Sequence, residues 1–205
     1  MTKLQRDTVV RAALTLLNEV GLDGLTTRRL AERLGVQQPA LYWHFKNKQA
    51  LIGALAEGMM AENHDRSVPE PDEDWRAFLT CNARSFRRSL LAYRDGARIH
   101  AGTRPSAQQM ASVEAQIRLL HAQGFTPAEA ASALLVISHY VVGSVLEQQA
   151  ALEATEGRTD GETASDETAP LLAAAMRELD ESGPDASFEY GLTTIVEGLA
   201  QRRKR

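Results

Sequence analysis

The sequence predicts an all-α protein, a three-helix helix-turn-helix head at the N-terminus followed by a larger helical body. Three observations carry this. Alanine and leucine are abundant and β-branched alternation is almost absent, so apolar residues recur at the helical period. Hydrophobic residues make up 43% and charged residues 24% of the 205 residues, which supplies a sizeable core and excludes global disorder. The charge is also divided. Residues 1–50 hold eight basic residues (Lys3, Arg6, Arg11, Arg28, Arg29, Arg33, Lys46, Lys48) against Asp7, Glu19, Asp23 and Glu32. With a net charge of −4 overall, a head of +4 leaves −8 for the rest. A basic head on an acidic body suits contact with a polyanion.

Val9, Ala12, Ala13, Leu16, Leu17 and Val20 repeat at helical spacing, and Gly21 stops this first helix ahead of a turn at Asp23-Gly24. Thr26 or Thr27 can cap a short helix carrying Leu30, Ala31 and Leu34, with Gly35 ending it. Pro39 suits the first turn of a third helix, Gln38 to His44, because its missing N–H is not needed there. Asn47 can cap a fourth, bearing Leu51, Ile52, Leu55, Met59 and Met60. Residues 65–73 form a polar loop. The next helix sets Trp75, Phe78, Leu79, Asn82, Phe86 and Leu90 on one stripe, and Arg94-Asp95-Gly96 interrupts it. A short element ends near His100, a turn covers 102–105, and residues 107–123 form another helix. Thr126-Pro127-Ala128-Glu129 is a capping box with proline at the first helical position. The helix it starts, 127–151, is apolar nearly all round from Ala130 to Leu146 and should be buried on most sides. Residues 153–169 are acidic and expected to be mobile; helices over about 170–181 and 184–203 close the chain. The expected division is a head over 1–47, a linking helix over 48–66 and a body over 67–205.

The one cysteine, Cys81, excludes a disulfide framework and a Cys-based zinc site. The N-terminus has no apolar signal region, and no run of 18 uncharged apolar residues predicts a membrane span, so the expected location is the cytoplasm. No H-E-x-x-H or G-x-S-x-G motif suggests an enzyme, and His139 after Ser138 in an apolar helix reads as packing.

Helix, turn and helix within 27–44 is helix-turn-helix spacing. Leu30, Leu34, Leu41 and Phe45 can form its core, leaving Arg28, Gln38, Tyr42, Trp43 and His44 outward to meet base edges and phosphate. Lys48 is placed for backbone contact. Two such heads must be held about one DNA turn apart, ~34–36 Å, so the body must dimerise. The helix at 127–151 and the last helix, with Phe188, Leu192, Ile195 and Leu199, are the candidates; Gly191 and Gly198 would allow close helix approach. Polar residues also interrupt inward stripes: Asn82, Gln116 and Glu147. Each costs ~1–3 kcal/mol if unpaired, and several on different helices suggest one shared polar cavity with a ligand. His64 and His100 lie near in chain order. A histidine and a carboxylate could hold a hard cation such as Mg²⁺ if the ligand supplies further oxygens.

The segments LTTRRLAERLGVQQPALYWHFKNKQAL, SFRRSLLAYRDGARIHAGTRP, VEAQIRLL and ISHYVVGSVLEQQ resemble the tetracycline repressor family of helix-turn-helix regulators, from about residue 4 to 150 and more weakly over 184–199. The resemblance implies an all-α homodimer that represses a tetracycline efflux gene from a palindromic operator and releases it when a tetracycline–Mg²⁺ chelate binds. It implies that His100 coordinates the metal, with Thr103 and the other subunit's Glu147 acting through water. His64, Asn82 and Gln116 match positions that hydrogen-bond the drug; Phe86, Arg104, Pro105, Val113 and Leu134 match its packing positions. Thr27, Arg28, Gln38, Pro39, Tyr42, Trp43, His44 and Lys48 match operator-contacting positions. Ala40 is small and apolar where related repressors often carry a hydroxyl. The alternative is a repressor of the same fold that senses another small molecule.

Overall fold

The computed structural model describes residues 4–101, 103, 105–157 and 169–202. Arg104, most of the acidic 153–169 segment and the end of the basic tail lie outside the described residues. The described residues are helical without a strand: α1 Arg6–Gly24, α2 Thr27–Leu34, α3 Pro39–Tyr42, α4 Lys48–Asn63, α5 Trp75–Leu91, α6 Gly96–His100, α7 Ala107–Ala122, α8 Pro127–Gly157 and α9 Pro170–Arg202.

The boundaries follow local chemistry. Gly21 breaks α1 with a φ of 68°, a conformation that favours glycine. The Thr26 side chain accepts from Arg29 N at the start of α2, and Gly35 closes that helix in the left-handed region. Asn47 caps α4 and Asp74 caps α5. Thr126 and Glu129 complete the expected capping box. A second box, Ser106 with Gln109, starts α7. Two ends differ from expectation. α3 has only four residues, because the chain leaves it in a turn that sends Phe45 back into the core. α8 runs to Gly157, since Ala151, Leu152, Glu153 and Ala154 are good helix formers that extend it past 151. α9 restarts at Pro184 after Gly183, whose φ is 75°, and so behaves as the two expected helices joined end to end.

α5 is the hub, packed on α4, α6, α8 and α9. Trp75, Phe78, Leu79 and Leu90 on its inner stripe are fully buried. α4 touches α1 on the head side and α5 and α6 on the body side, which places it as the bridge. Gly96 lets α6 start tightly against the end of α5: a Cβ there would lie 2.0 Å from Leu90 O.

α8 departs from the expected burial on most sides. Ala130, Ala133, Ile137, Val141 and Val145 are buried on one face. Leu135, Val136 and Leu146 are exposed on another, and nothing approaches Gly143 within 4 Å. One chain supplies neighbours for only part of so apolar a helix. Within residues 127–154 an 18-residue window reaches a mean hydropathy of 1.5, which is long and apolar enough to cross a membrane by length and composition alone. Gly191 does serve a close approach, but within the chain: a Cβ there would sit 2.2 Å from the Tyr140 hydroxyl oxygen of α8. Gly198 meets nothing within 4 Å.

Candidate ligand site and nucleic-acid interface

In the head, Leu30, Leu41 and Phe45 are buried and Leu34 half-buried, which fixes α2 against α3 as expected. Arg28, Gln38, Pro39, Tyr42 and Lys48 are exposed, Thr27 and His44 half-buried, and Trp43 is 89% exposed. An indole that open to water is costly to leave uncovered and marks a contact surface. The Gln38 amide donates to Thr27 Oγ1 at 2.7 Å, which ties the start of α3 to the start of α2. Arg28 pairs with Glu32 at 3.0 Å, an exposed pair that contributes little and is readily exchanged for a phosphate.

In the body, Phe86 lies between two imidazoles. Its ring is edge-on to His100 at 4.8 Å between centroids and tilted against His64 at 5.7 Å. His64 caps the end of α4, and His100 is the last residue of α6. Asn82 and Gln116 approach the same corner: Asn82 Nδ2 donates to Arg66 O at 2.8 Å and Gln116 Nε2 to Ser67 O at 2.6 Å. Burial lowers the His100 pKa and brings that of His64 to about 4, so both rings are neutral at neutral pH. His100 Nδ1 is buried with no hydrogen-bond partner among the described residues. The Thr103 hydroxyl donates to the His100 carbonyl at 2.7 Å, which leaves its oxygen lone pairs available.

The other expected site residues are more scattered. Val113 and Leu134 are half-buried and Pro105 is exposed. Glu147 is not brought to His100 within the chain. It is exposed and lines a separate cleft of about 240 Å³ with Arg87, Tyr140, Ser144 and Phe188. The single shared cavity expected from Asn82, Gln116 and Glu147 is therefore split in one chain, because Glu147 lies on the exposed side of α8. No cluster of three or more His, Cys, Asp or Glu side chains able to hold a metal occurs among the described residues. A cation at His100 must take its remaining oxygens from a ligand, water or another subunit.

The burial of His64 has a consequence for stability. Its folded pKa of about 4 lies below the unfolded value near 6.5, so the unfolded chain binds more protons between those limits. The neutral ring's contribution is complete above about pH 6.5 and is lost as pH falls through 4, about 3 kcal/mol in all. Urea unfolding at several pH values should show this slope, and His64→Ala should flatten it.

Three residues that pattern reasoning passed over hold the site in place. Ser85, fully buried, contacts His64 Nδ1 at 2.9 Å. Asp95 adopts a φ of 57° and is buried; its carboxylate accepts from Leu22 N at 2.7 Å and from Arg98 at 2.8 Å. Arg98 reaches on to Asp23 at 3.1 Å, and Arg94 N donates to Asn18 Oδ1 at 2.9 Å. The element that ends at His100 is thus clamped to the end of α1. Ser85 was detectable in principle: with Asn82, Phe86 and Ser89 it follows the i, i+3, i+4, i+7 inward stripe. Asp95 and Arg98 gave no such signal, because charged residues at a turn usually face solvent.

An exposed helix-turn-helix carried on a larger helical body with its own polar corner is the architecture of a ligand-responsive DNA-binding regulator. The chain belongs to the tetR family of bacterial regulatory proteins: residues 9–55 match the model of that family and residues 68–203 that of the tetracyclin repressor-like C-terminal domain. It is 63% identical to the tetracycline repressor protein class A from transposon 1721 of Escherichia coli, over 99% of this chain and 94% of that protein. The TetR structure from Acinetobacter baumannii AYE is 55% identical with a TM-score of 0.81, covering 98% of this chain and 99% of that one. TetR(class A) in complex with 5a,6-anhydrotetracycline and magnesium is 55% identical with a TM-score of 0.79, covering 97% and 99%. The family is one of transcriptional regulators, not of enzymes.

Proposed function

We propose that the chain is a cytoplasmic repressor that binds a palindromic operator as a homodimer. It releases the operator when a tetracycline–Mg²⁺ chelate binds, and so derepresses an efflux gene. The observation that carries this reading is the neutral, half-buried His100, whose buried Nδ1 lacks a partner among the described residues beside the Phe86 wall. Similarity to tetracycline repressors over nearly the whole chain supports it.

Residues 1–47 bind DNA, 48–66 link, and 67–205 bind ligand and dimerise. The exposed stripe of α8, through Leu135, Val136, Gly143 and Leu146, is the face that a second copy covers; this accounts for a helix apolar enough for a membrane. The residues present fit a magnesium ion, with a neutral imidazole at His100, the Thr103 hydroxyl behind it, and Glu147 offered outward to a second copy. When bound, the ion supplies the positive charge and coordination positions that fasten the drug's oxygens to the protein. Phe86, Val113, Leu134, Arg104 and Pro105 wall the drug, while His64, Asn82 and Gln116 orient it.

His100 ends α6, and Asp95 and Arg98 tie α6 to Leu22 and Asp23. A ligand that holds His100 therefore pulls on the head through this clamp and through α4. Release follows if the drug binds the released form more tightly than the DNA-bound form. A fluorescence titration with tetracycline tests the reading: binding should require Mg²⁺ and fail in excess EDTA. Affinity unchanged by EDTA removes the metal, and no binding at all removes the drug.

In the head, Thr27, Arg28, Gln38, Pro39, Tyr42, Trp43, His44 and Lys48 form the operator contacts. Gln38→Ala should relax preference at one base pair by ~1–3 kcal/mol. Lys48→Ala should weaken binding to all sequences alike and flatten the dependence of log K on log salt by about 0.9. Binding curves on operator and random DNA over a salt series separate the two; identical behaviour would misplace the recognition helix.

A further inference from the structure

Ser85 is a buried hydroxyl with three polar neighbours, all from the stretch that leaves α4. Its Oγ donates to Asp65 Oδ1 at 2.6 Å, receives Arg66 N–H at 3.3 Å and lies 2.9 Å from His64 Nδ1. A serine hydroxyl has one proton. Asp65 is held as a carboxylate by this hydrogen bond and by Arg88 at 2.9 Å, so it can only accept. With the single proton committed to Asp65 and Arg66 N–H already donating to Oγ, the His64 contact must run from Nδ1–H to the serine oxygen.

We infer that Ser85, backed by Asp65, is a positioning residue that fixes His64 as the Nδ1–H tautomer. His64 then offers a bare acceptor at Nε2 and selects a ligand that presents a hydroxyl or amide N–H there. Among the described residues Nε2 has no hydrogen-bond partner. The two neighbouring amides are held by the same loop. Asn82 and Gln116 each give one N–H to a carbonyl there, at Arg66 and Ser67, and keep a carbonyl oxygen and a second N–H for a ligand. The loop at residues 64–67 thus anchors both amides beside His64, so the one strict acceptor among the three side chains at this corner is His64 Nε2. This rests on the ligand site proposed above.

The experiment uses the full chain with ¹⁵N-labelled histidine, free of ligand at neutral pH; five histidines keep the spectrum assignable. Long-range ¹H–¹⁵N correlation reports which ring nitrogen carries the proton. In the parent, His64 should be protonated at Nδ1 and bare at Nε2. Asp65→Ala, a substitution at an exposed side chain, frees the Ser85 proton to turn toward Nδ1 and should shift His64 toward the Nε2–H form. Asp65→Ala should also weaken tetracycline binding in Mg²⁺ about tenfold, with Asp65→Asn, which keeps an acceptor, restoring both readouts. A parent protonated at Nε2, or a tautomer unmoved by Asp65→Ala, overturns the role of Ser85. A shifted tautomer with unchanged affinity overturns the ligand polarity. Failure of the parent to bind tetracycline is a different result: it removes the proposed drug and leaves the tautomer measurement, made without ligand, to decide the assignment.

Discussion

His100→Ala should fold, dimerise and bind operator near normally, yet need at least about 100-fold more tetracycline with Mg²⁺ to release it. The substitution removes a neutral imidazole whose Nδ1 has no partner among the described residues, so little in their ligand-free packing depends on that group. A 100-fold change is about 2.7 kcal/mol of lost differential binding. By linkage, a drug shifts the equilibrium only by the difference in its affinity for the two forms. Asn82→Ala should give a milder version of about tenfold, because it removes one oriented amide and leaves the metal position intact. Gel-shift titration of the operator complex against the drug separates the three proteins. Release of the His100→Ala complex at the parent's drug concentration would falsify the pocket assignment. So would loss of operator binding without drug.

Leu135→Asp combined with Leu146→Asp should give a folded monomer whose operator affinity falls by about 10²–10⁴. Both side chains are exposed on α8, at 56% and 41%, so aspartate there is well tolerated by the isolated chain. In a dimer the same positions would bury carboxylates in an apolar seam, which is costly. Separating the heads removes the gain from engaging two half-sites at once. Sedimentation and operator titration should change together, with the helical circular dichroism signal retained. A dimer that survives both changes moves the interface elsewhere.

The head was legible in the sequence because its signals are local. Thr26, Gly35, Pro39 and Asn47 each act through their own backbone, and Leu30, Leu41 and Phe45 reach their core within a few turns of chain. The pairing of His64 with His100 was only partly legible. Helix ends could be placed, but the Phe86 ring that joins the two depends on how α4, α5 and α6 pack. Glu147 shows the limit in the other direction. Helical periodicity placed it on an inward stripe of α8, and could not say that its side of the helix faces away from the chain's own His100. The clamp of Asp95 and Arg98 was illegible because it spans more than 70 residues to Leu22 and Asp23. The extra turns of α8 were misread from composition, since acidic and threonine-rich runs do not stop a helix that alanine and leucine have started.

The chain carries two indoles in opposite circumstances. Trp43 projects from the end of α3, 89% exposed, while Trp75 is sealed at the start of α5 against Phe125. One emission spectrum therefore holds two independent reporters. A soluble quencher added from outside silences the first and spares the second. On the proposed operator contact, shielding of the quenched fraction would report occupancy by DNA, and a change in the unquenched fraction would report the interior of the body. Both can be followed in one cuvette without any attached dye.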